Sequence, residues 1–227
     1  MKPTNVTPIL HRDDPDKEPL VGNIKVTRQD WINVAMDVLI SDGVERVKVL
    51  NLAQMLDVSR SSFYWYFKSR QDLLDALLLY WQRTNTAALV AQSEGPADTI
   101  TEAVCNVFRC VVDPVLFNTR LDFAVRDWAR RSGAVRRILD QSTADRQAAL
   151  TAMFQRFGYG EREALTRARI LYYMQTGYND ADMHEPMAER MKLLPEYLLG
   201  FTGRVARPEE IEALRVYSEQ IETRMRG

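Results

Sequence analysis

The sequence is poor in the side chains that carry most enzymatic and metal chemistry. It has two cysteines and two histidines in 227 residues, and it contains no Ser/His/Asp set, glycine-rich phosphate loop or paired-carboxylate motif. Cys105 and Cys110 lie five residues apart, which on a helix turns them about 140° away from each other. That angle disfavours a disulfide or a shared metal ion, so structural thiols are expected, with a redox sensor as the alternative. These absences argue against an enzyme and against a cofactor.

One acidic stretch contains residue types that can ligate a metal ion. Its candidate ligands are Asp180, Asp182, His184 and Glu185. Exposed acids beside a helix breaker, here Pro186, are also ordinary at the end of a helix, and this interpretation is favoured. The sequence therefore predicts no metal site.

Long apolar runs and an excess of charge of either sign are also missing. No segment approaches the roughly 20 consecutive apolar residues of a membrane-spanning helix, and the N-terminus lacks the apolar core of a signal peptide. With only two cysteines, the protein is expected to be soluble and to reside in the reducing cytoplasm. A net charge of −1 means that any nucleic-acid site must be local rather than spread over the whole surface.

The most informative pattern runs from residue 49 to residue 74, VLNLAQMLDVSRSSFYWYFKSRQDLL. Apolar residues recur at helical spacing over its first eight positions, and Asp57-Val58-Ser59 then breaks the pattern. Asp tolerates the left-handed conformation of a tight turn, and Ser59 is a favoured N-cap for a second helix from Arg60 to Phe67. The stretch therefore predicts two short helices joined by a tight turn and followed at once by a third helix.

The second of these helices has an unusual outward face. Phe63 and Phe67 lie one turn apart and define its buried side, so at about 100° per residue Ser61 and Trp65 point away from the core. Hydroxyl, aromatic and basic side chains on an outward face suit a helix that lies in the DNA major groove. Five basic residues against one acid between residues 46 and 70 give this segment the charge to contact phosphates. The arrangement predicts a helix-turn-helix motif.

A different class of function remains open for the same segment. Exposed aromatic side chains are also favoured at protein interfaces, so residues 47–74 could instead form a helical module that binds another protein. Salt dependence separates the two functions, because binding through several phosphates weakens steeply with salt and an apolar contact does not.

The segment resembles the helix-turn-helix of the TetR family of ligand-responsive transcriptional repressors. The matching positions are Leu52-Ala53, Val58-Ser59, Phe63-Tyr64, Phe67, Ser69-Arg70 and Leu73-Leu74. Lys48 stands where the family usually has a capping Ser or Thr, and Arg70 replaces the usual Lys. Both departures leave a cation that can contact a phosphate. The resemblance implies an all-α protein that binds a double-stranded, pseudo-palindromic operator.

The resemblance and the predicted outward face together assign the DNA contacts. They are Thr27, Lys48, Ser59, Arg60, Ser61, Ser62, Tyr64, Trp65, Tyr66, Lys68 and Arg70. Thr27 also begins a capping box with Asp30, at the start of a first helix that Gly43 closes. Before it, residues 1–26 carry four prolines and a cluster of mixed charge, and they are expected to form a mobile arm. The DNA-binding domain is predicted to span residues 27–70.

The rest of the chain predicts helix after helix with short breaks. A long helix is expected from Arg70 to Ala91, and later helices are expected at 97–111, 114–131, 134–157, 161–182, 186–201 and 208–225. Strand-like alternation is absent from this half. Residues 71–227 should therefore form a helical bundle. In the TetR family this bundle binds the ligand and forms the dimer, and the long helix links it to the DNA-binding domain.

The resemblance further implies a ligand cavity between the long helix and the helices that follow it. The aromatic side chains expected to line the cavity are Trp81, Phe108, Phe117, Trp128 and Tyr173. The candidate polar anchors for the ligand are Arg109, Asn118 and Gln175. Binding of an unknown small-molecule effector should release the protein from its operator.

Two late apolar stripes are expected to form a four-helix interface in a homodimer. The stripe in 161–182 consists of Ala164, Leu165, Ala168, Leu171 and Tyr172. The stripe in 186–201 consists of Met187, Met191, Leu194 and Leu198. A two-fold dimer would present one recognition helix to each half of a pseudo-palindrome.

Overall fold

The computed structural model describes residues 26–181 and 185–226, and every regular element within these two ranges is a helix. The all-α fold predicted from the sequence is thus confirmed. The chain divides into two compact units, with the boundary between Leu79 and Tyr80. The predicted N-terminal arm, residues 1–26, lies outside the described residues apart from Val26. None of the described helices is long and apolar enough to span a membrane.

The first unit contains three complete helices and most of a fourth. They are α1 (Arg28–Asp42), α2 (Val49–Met55), α3 (Arg60–Phe63) and α4 (Arg70–Trp81), with a 3-10 turn at Val44–Arg46 between α1 and α2. Each helix contributes fully buried apolar side chains, which include Trp31, Leu39, Leu52, Phe63, Leu73 and Leu77. α4 carries the chain across the boundary between the two units.

α1 begins and ends as the sequence predicts. The Asp30 N–H donates to Thr27 Oγ1 over 3.2 Å, and the Thr27 N–H donates to the Asp30 carboxylate over 2.7 Å, which completes the capping box. Gly43 follows the helix with φ +80°, and its N–H donates to the Leu39 carbonyl over 3.2 Å. Because side chains rarely tolerate this φ, a glycine is suited to this position.

The helix-turn-helix motif is present, but its second helix is shorter than predicted. α3 ends at Phe63 instead of Phe67, and the next three residues continue as tighter turns, in which each N–H donates to the carbonyl three residues back. Such 3-10 geometry is common where a short helix ends. Asp57 has φ +51°, which is the left-handed turn conformation that the sequence predicts.

The second unit is a bundle that follows a π-helical segment at Gln82–Thr86. Its helices are α5 (Ala87–Glu94), α6 (Ile100–Val112), α7 (Thr119–Arg131), α8 (Gly133–Arg156), α9 (Glu161–Asp180), α10 (Met187–Lys192), α11 (Leu194–Thr202) and α12 (Pro208–Arg226). All six helices predicted beyond residue 96 are found, although the predicted helix at 186–201 is divided into α10 and α11. The long helix predicted to end at Ala91 runs to Glu94 and is interrupted by the π segment.

The two stripes expected at the dimer interface lie mostly inside the bundle. Six of the nine members are buried in the core, namely Ala164, Ala168, Leu171, Tyr172, Leu194 and Leu198. The prediction for these residues is wrong, because helical periodicity identifies a buried face but does not say which surface buries it. Leu165 is exposed at the edge of this buried face, whereas Ile170 and Tyr173 are exposed on the opposite side of α9.

Candidate nucleic-acid interface and ligand cavities

Two aromatic side chains near the end of α3 are exposed to solvent. Trp65 is 73% exposed and Tyr64 is 52% exposed, and Arg60 and Ser61 are exposed as well. We call these four residues the recognition face. Large aromatic groups left in water are typical of a surface that binds a partner. The arrangement agrees with the outward face predicted from the helical spacing.

Buried aromatic rings fix the opposite side of α3. Phe63 and Phe67 stack with their ring centroids 5.3 Å apart, and the edge of Trp31 meets Phe63 at 5.2 Å. All three side chains are at most 1% exposed. Since their rings hold α3 and the turns after it, the recognition face must point outward.

The three serines of the motif bond mainly to one another and to the backbone. Ser59 Oγ lies 2.8 Å from Ser61 Oγ, and the Ser62 hydroxyl donates to the Ser59 carbonyl over 2.7 Å. Ser59 occupies the predicted N-cap position of α3, but its side chain makes no capping hydrogen bond within the described structure. Ser59 and Ser61 are exposed and Ser62 is half-buried, so Ser61 is the serine placed best to meet a base or phosphate.

Basic side chains surround the recognition face along the chain. Lys48 is the N-cap residue of α2, and both Lys48 and Lys68 are exposed. The Arg60 guanidinium lies 3.4 Å from the Tyr64 hydroxyl, which holds the two side chains together one turn apart. These cations can pair with phosphates while the aromatic groups reach the groove.

Three of the predicted DNA contacts use their polar groups inside the first unit. The Tyr66 hydroxyl donates to the Val26 carbonyl over 2.6 Å. The Arg70 guanidinium donates to the carbonyls of Val47 and Val44 over 2.5 and 2.6 Å. The Thr27 hydroxyl is engaged in its capping box. These residues stabilise the segments that position the motif, and their capacity to contact DNA is correspondingly smaller.

Two cavities of the second unit are lined mainly by apolar side chains. The outer cavity is lined by Phe108, Val111, Val112, Met174, Gln175, Tyr178, Glu185, Met187, Arg190, Met191, Leu194, Tyr197 and Leu214. The other, which we call the arginine cavity, is lined by Leu89, Val107, Phe108, Cys110, Val111, Phe117, Asp122, Arg126, Arg146, Leu150, Leu171, Tyr172, Gln175, Thr176 and Asn179. An apolar lining with a few polar side chains is typical of a site for a small organic ligand.

A network of charged side chains forms one wall of the arginine cavity. Asp122 accepts from Arg146 Nη1 over 2.8 Å and from Arg126 Nε over 2.8 Å. Asp122 Oδ1, the oxygen bonded to Arg146, also accepts a hydrogen bond from Trp81 Nε1 over 2.9 Å. Arg126 in turn donates to the Tyr172 hydroxyl over 2.8 Å. The network joins α4, α7, α8 and α9, so it couples the cavity wall to the helix that leaves the first unit.

Opposite charges decide the ionisation of this network. Burial alone would raise the pKa of Asp122, but Arg146 and Arg126 outweigh it and hold that pKa below its ordinary value. Burial would likewise lower the pKa of Arg126, and Asp122 with Tyr172 instead raises it. Asp122 is therefore a carboxylate and Arg126 is a cation in the folded protein.

Residues 32–77, which cover most of the first unit, match the family described as bacterial regulatory proteins, tetR family. The first unit therefore carries a DNA-binding domain of the tetR-family type. This match supports a DNA-binding regulator of transcription over a protein-interaction module without a DNA role. TetR-family proteins act in regulation and are generally not enzymes.

Solved structures of similar fold extend the likeness over most of the chain. Salmonella enterica GusR is 17% identical, with 88% of this chain and 97% of that chain covered and a TM-score of 0.55. Mycobacterium smegmatis AmtR is 14% identical, with 88% and 96% covered and a TM-score of 0.57. At such identities the likeness establishes the fold alone.

Three of the eight predicted ligand residues line a cavity of the bundle. Phe108 and Gln175 line both cavities, and Phe117 lines the arginine cavity. The others lie elsewhere among the described residues. Trp81 packs behind Arg146, Asn118 caps α7, Trp128 is buried, Arg109 lies over the ring of Tyr217, and Tyr173 is half exposed on the outer side of α9.

The charged groups of the arginine cavity were missed from the sequence. One signal was available, because Arg146 interrupts a stripe of α8 residues that are otherwise small or apolar. The buried members of that stripe are Leu139, Ser142, Arg146, Leu150 and Met153. A charge inside a buried stripe requires a partner, although the sequence does not reveal that the partner is Asp122, 24 residues earlier.

Neither cysteine has the environment of a reactive thiol. Burial raises the pKa of Cys105 and of Cys110 to about 12, so neither is a thiolate at neutral pH. The predicted metal candidates Asp182 and His184 lie outside the described residues, as does His11. Within the described ranges, no group of three or more His, Cys, Asp or Glu side chains is placed to hold a metal ion.

Proposed function

We propose that this TetR-family protein is a cytoplasmic, homodimeric repressor that a small molecule releases from a pseudo-palindromic operator. The observation that carries the DNA-binding part is the recognition face, with Trp65 and Tyr64 exposed while Phe63 and Phe67 lock α3 from behind. No catalytic activity is proposed for the chain.

The proposed DNA contacts fall into two groups. Ser61, Tyr64 and Trp65 reach base edges and sugars in the major groove, where hydroxyl groups and apolar surfaces can discriminate between base pairs. Lys48, Arg60 and Lys68 pair with phosphates, since their charged ends are in solvent. Ser59 and Ser62 border this surface, whereas Thr27, Tyr66 and Arg70 act mainly by holding the motif in shape.

The outer side of α9, together with α11, supports dimer formation. Both helices carry exposed large apolar side chains, namely Leu165, Ile170, Tyr173, Tyr197 and Leu199. A second copy related by two-fold symmetry would cover this surface and place two recognition faces about 34 Å apart or slightly more, which matches successive major grooves.

Release by a ligand requires that ligand and operator favour different conformations of the dimer. α4 and the π segment at Gln82–Thr86 connect the bundle to the DNA-binding unit along the chain. If the ligand stabilises a conformer in which this helix has swung, the recognition helices no longer match the groove spacing. By linkage, ligand and DNA then weaken each other's binding by the same factor.

A mobility-shift assay tests the DNA-binding part. The full chain is mixed with intergenic DNA from beside its own gene at two salt concentrations, with unlabelled competitor. We expect a discrete complex that weakens steeply with salt, and a loss of affinity of about tenfold or more in Trp65→Ala, because a good base contact contributes about 1–3 kcal/mol.

The matched control is Phe123→Ala, which removes an exposed aromatic side chain from α7 in the second unit. This variant should bind DNA as the wild type does, and both variants should sediment as dimers. Equal affinities for Trp65→Ala and Phe123→Ala, or a monomeric Trp65→Ala, would contradict the assignment of the recognition face.

A further inference from the structure

Arg146 is a buried cation with an unused hydrogen-bond donor. Arg146 is only 1% exposed. Its Nε donates to Thr86 Oγ1 over 3.0 Å, and its Nη1 donates to the Asp122 carboxylate. Its Nη2 is buried and has no partner within residues 26–181 and 185–226. Leaving such a group unpaired costs free energy, so native proteins usually pair it or keep it for a ligand.

Aromatic rings prevent Arg146 from turning elsewhere for a partner. Its guanidinium carbon lies 5.0 Å from the ring centre of Trp81 and 5.2 Å from that of Phe117. The guanidinium is therefore held in one orientation by the two rings and by its two existing bonds. Arg146 lines the arginine cavity, and its unused Nη2 is fixed in place with the rest of the guanidinium.

The charges that line the arginine cavity do not balance. Two guanidinium groups, Arg126 and Arg146, face a single carboxylate, Asp122, and the remaining lining side chains are neutral. Both Asp122 oxygens already accept hydrogen bonds, from Trp81 and Arg146 on one and from Arg126 on the other. The described wall thus carries one uncompensated positive charge, and a ligand with one negative charge would neutralise it.

The rest of the lining defines the body of such a ligand. Most of it is apolar and comes from Leu89, Val107, Phe108, Phe117, Leu150 and Leu171. Three neutral polar side chains on α9, Gln175, Thr176 and Asn179, can orient a hydroxyl or keto substituent. A dianion such as a phosphate monoester would exceed the charge of the wall.

We propose that the effector is an apolar monocarboxylate whose carboxylate accepts a hydrogen bond from Arg146 Nη2 in the arginine cavity. The proposal rests on the proposed function only where it calls the ligand an effector. Arg146 also holds Thr86 in the π segment, so a carboxylate that pulls on the guanidinium acts directly on the helical segment that continues α4.

Calorimetry on the full chain without DNA tests the ligand class. The probes are a panel of aliphatic and aromatic monocarboxylates with six to twelve carbons, each paired with its primary amide. We expect at least one acid to bind saturably and its amide to bind about tenfold to a hundredfold more weakly, since a hydrogen bond to a charged group contributes about 1.5–3 kcal/mol. Equal binding of acid and amide, or no saturable binding in the panel, would overturn the proposal.

Two arginine variants locate the site. Arg146→Lys keeps the charge but loses the planar guanidinium with its paired donors. It should weaken the binding of the acid about tenfold or more. Arg190→Gln removes the arginine of the outer cavity and should leave the affinity unchanged. The ratio of the affinities of the wild type for the acid and for its amide needs no variant. If Arg146→Lys fails to fold, this ratio still tests the proposed ligand class. Weakening by Arg190→Gln alone would move the site to the outer cavity and refute the proposal.

Operator release is measured separately, by adding the bound acid to the mobility-shift assay. Release of the DNA supports the role as effector. An acid that binds through Arg146 without releasing DNA would refute that role, while the ligand class and the DNA-binding assignment would both stand.

Discussion

Asp122 should be one of the most sensitive positions for the stability of the second unit. Asp122→Asn keeps the shape of the side chain but removes the charge that pairs with Arg126 and Arg146. Breaking a buried ion pair by removing one partner costs about 3–5 kcal/mol, because the remaining charge stays buried. Here one carboxylate serves two guanidiniums, and Arg146 is 1% exposed, so a loss of free energy of unfolding in this range is expected.

Urea denaturation followed by far-UV circular dichroism measures this loss. Wild type and variant are compared at equal protein concentration, since the stability of a dimer depends on concentration. The midpoint should fall by more than about 1 M urea, given slopes of about 1–3 kcal/mol/M. The matched control is Asp140→Asn, which breaks an exposed pair with Arg136 of the same 2.8 Å length and should cost less than about 1 kcal/mol.

The difference between wild type and Asp122→Asn should also depend on pH. The pKa of Asp122 is held below its ordinary value, so the carboxylate stabilises the fold above the unfolded pKa of about 3.9. That contribution is lost as pH falls through the lower, folded pKa, and the two proteins should converge below about pH 4. A loss in Asp122→Asn no larger than that in Asp140→Asn at pH 7 would refute the argument for a buried network.

Three further outcomes follow from the other surfaces. Lys48→Gln should weaken operator binding and reduce the slope of log affinity against log salt concentration by about one, with no change in sequence preference; an unchanged slope would remove Lys48 from the phosphate contacts. Ile170→Glu should shift the sedimentation coefficient toward a monomer, because a charge would enter the proposed interface on α9; a persistent dimer would place that interface elsewhere. Cys105 and Cys110 should not react with a disulfide reagent at pH 8 until the protein is unfolded, since burial raises the pKa of both to about 12, and rapid reaction of the native protein would contradict this.

Local features of the fold were predictable because they depend on neighbouring residues. The capping box of Thr27 and Asp30, the left-handed turn at Asp57 and the helices of the bundle all follow from spacing, caps and breakers within a few positions. The outward position of Trp65 was likewise set by Phe63 and Phe67, one turn apart. Interactions of this range can be inferred from one sequence.

Features that depend on distant residues were not predictable in the same way. Tyr66 bonds to the backbone 40 residues earlier, Arg70 to carbonyls 23 and 26 residues earlier, and Arg146 to a hydroxyl 60 residues earlier. The buried stripe of Ala164 and Ala168 was correctly periodic but was assigned to the wrong partner surface. In each case the residue type was informative, while its partner was determined by tertiary packing.

The π segment at Gln82–Thr86 holds more residues in a turn than the α-helices on either side. It can become regular only if one residue passes from one side to the other, which advances the helix by about 1.5 Å and rotates it by about 100°. Bonds from Asn85 to Asn118 and from Arg146 to Thr86 hold the present register. Because no stable register lies between two residues, a helix freed from these bonds would change stepwise, and a regulator built on it would respond as an on–off switch instead of a graded one.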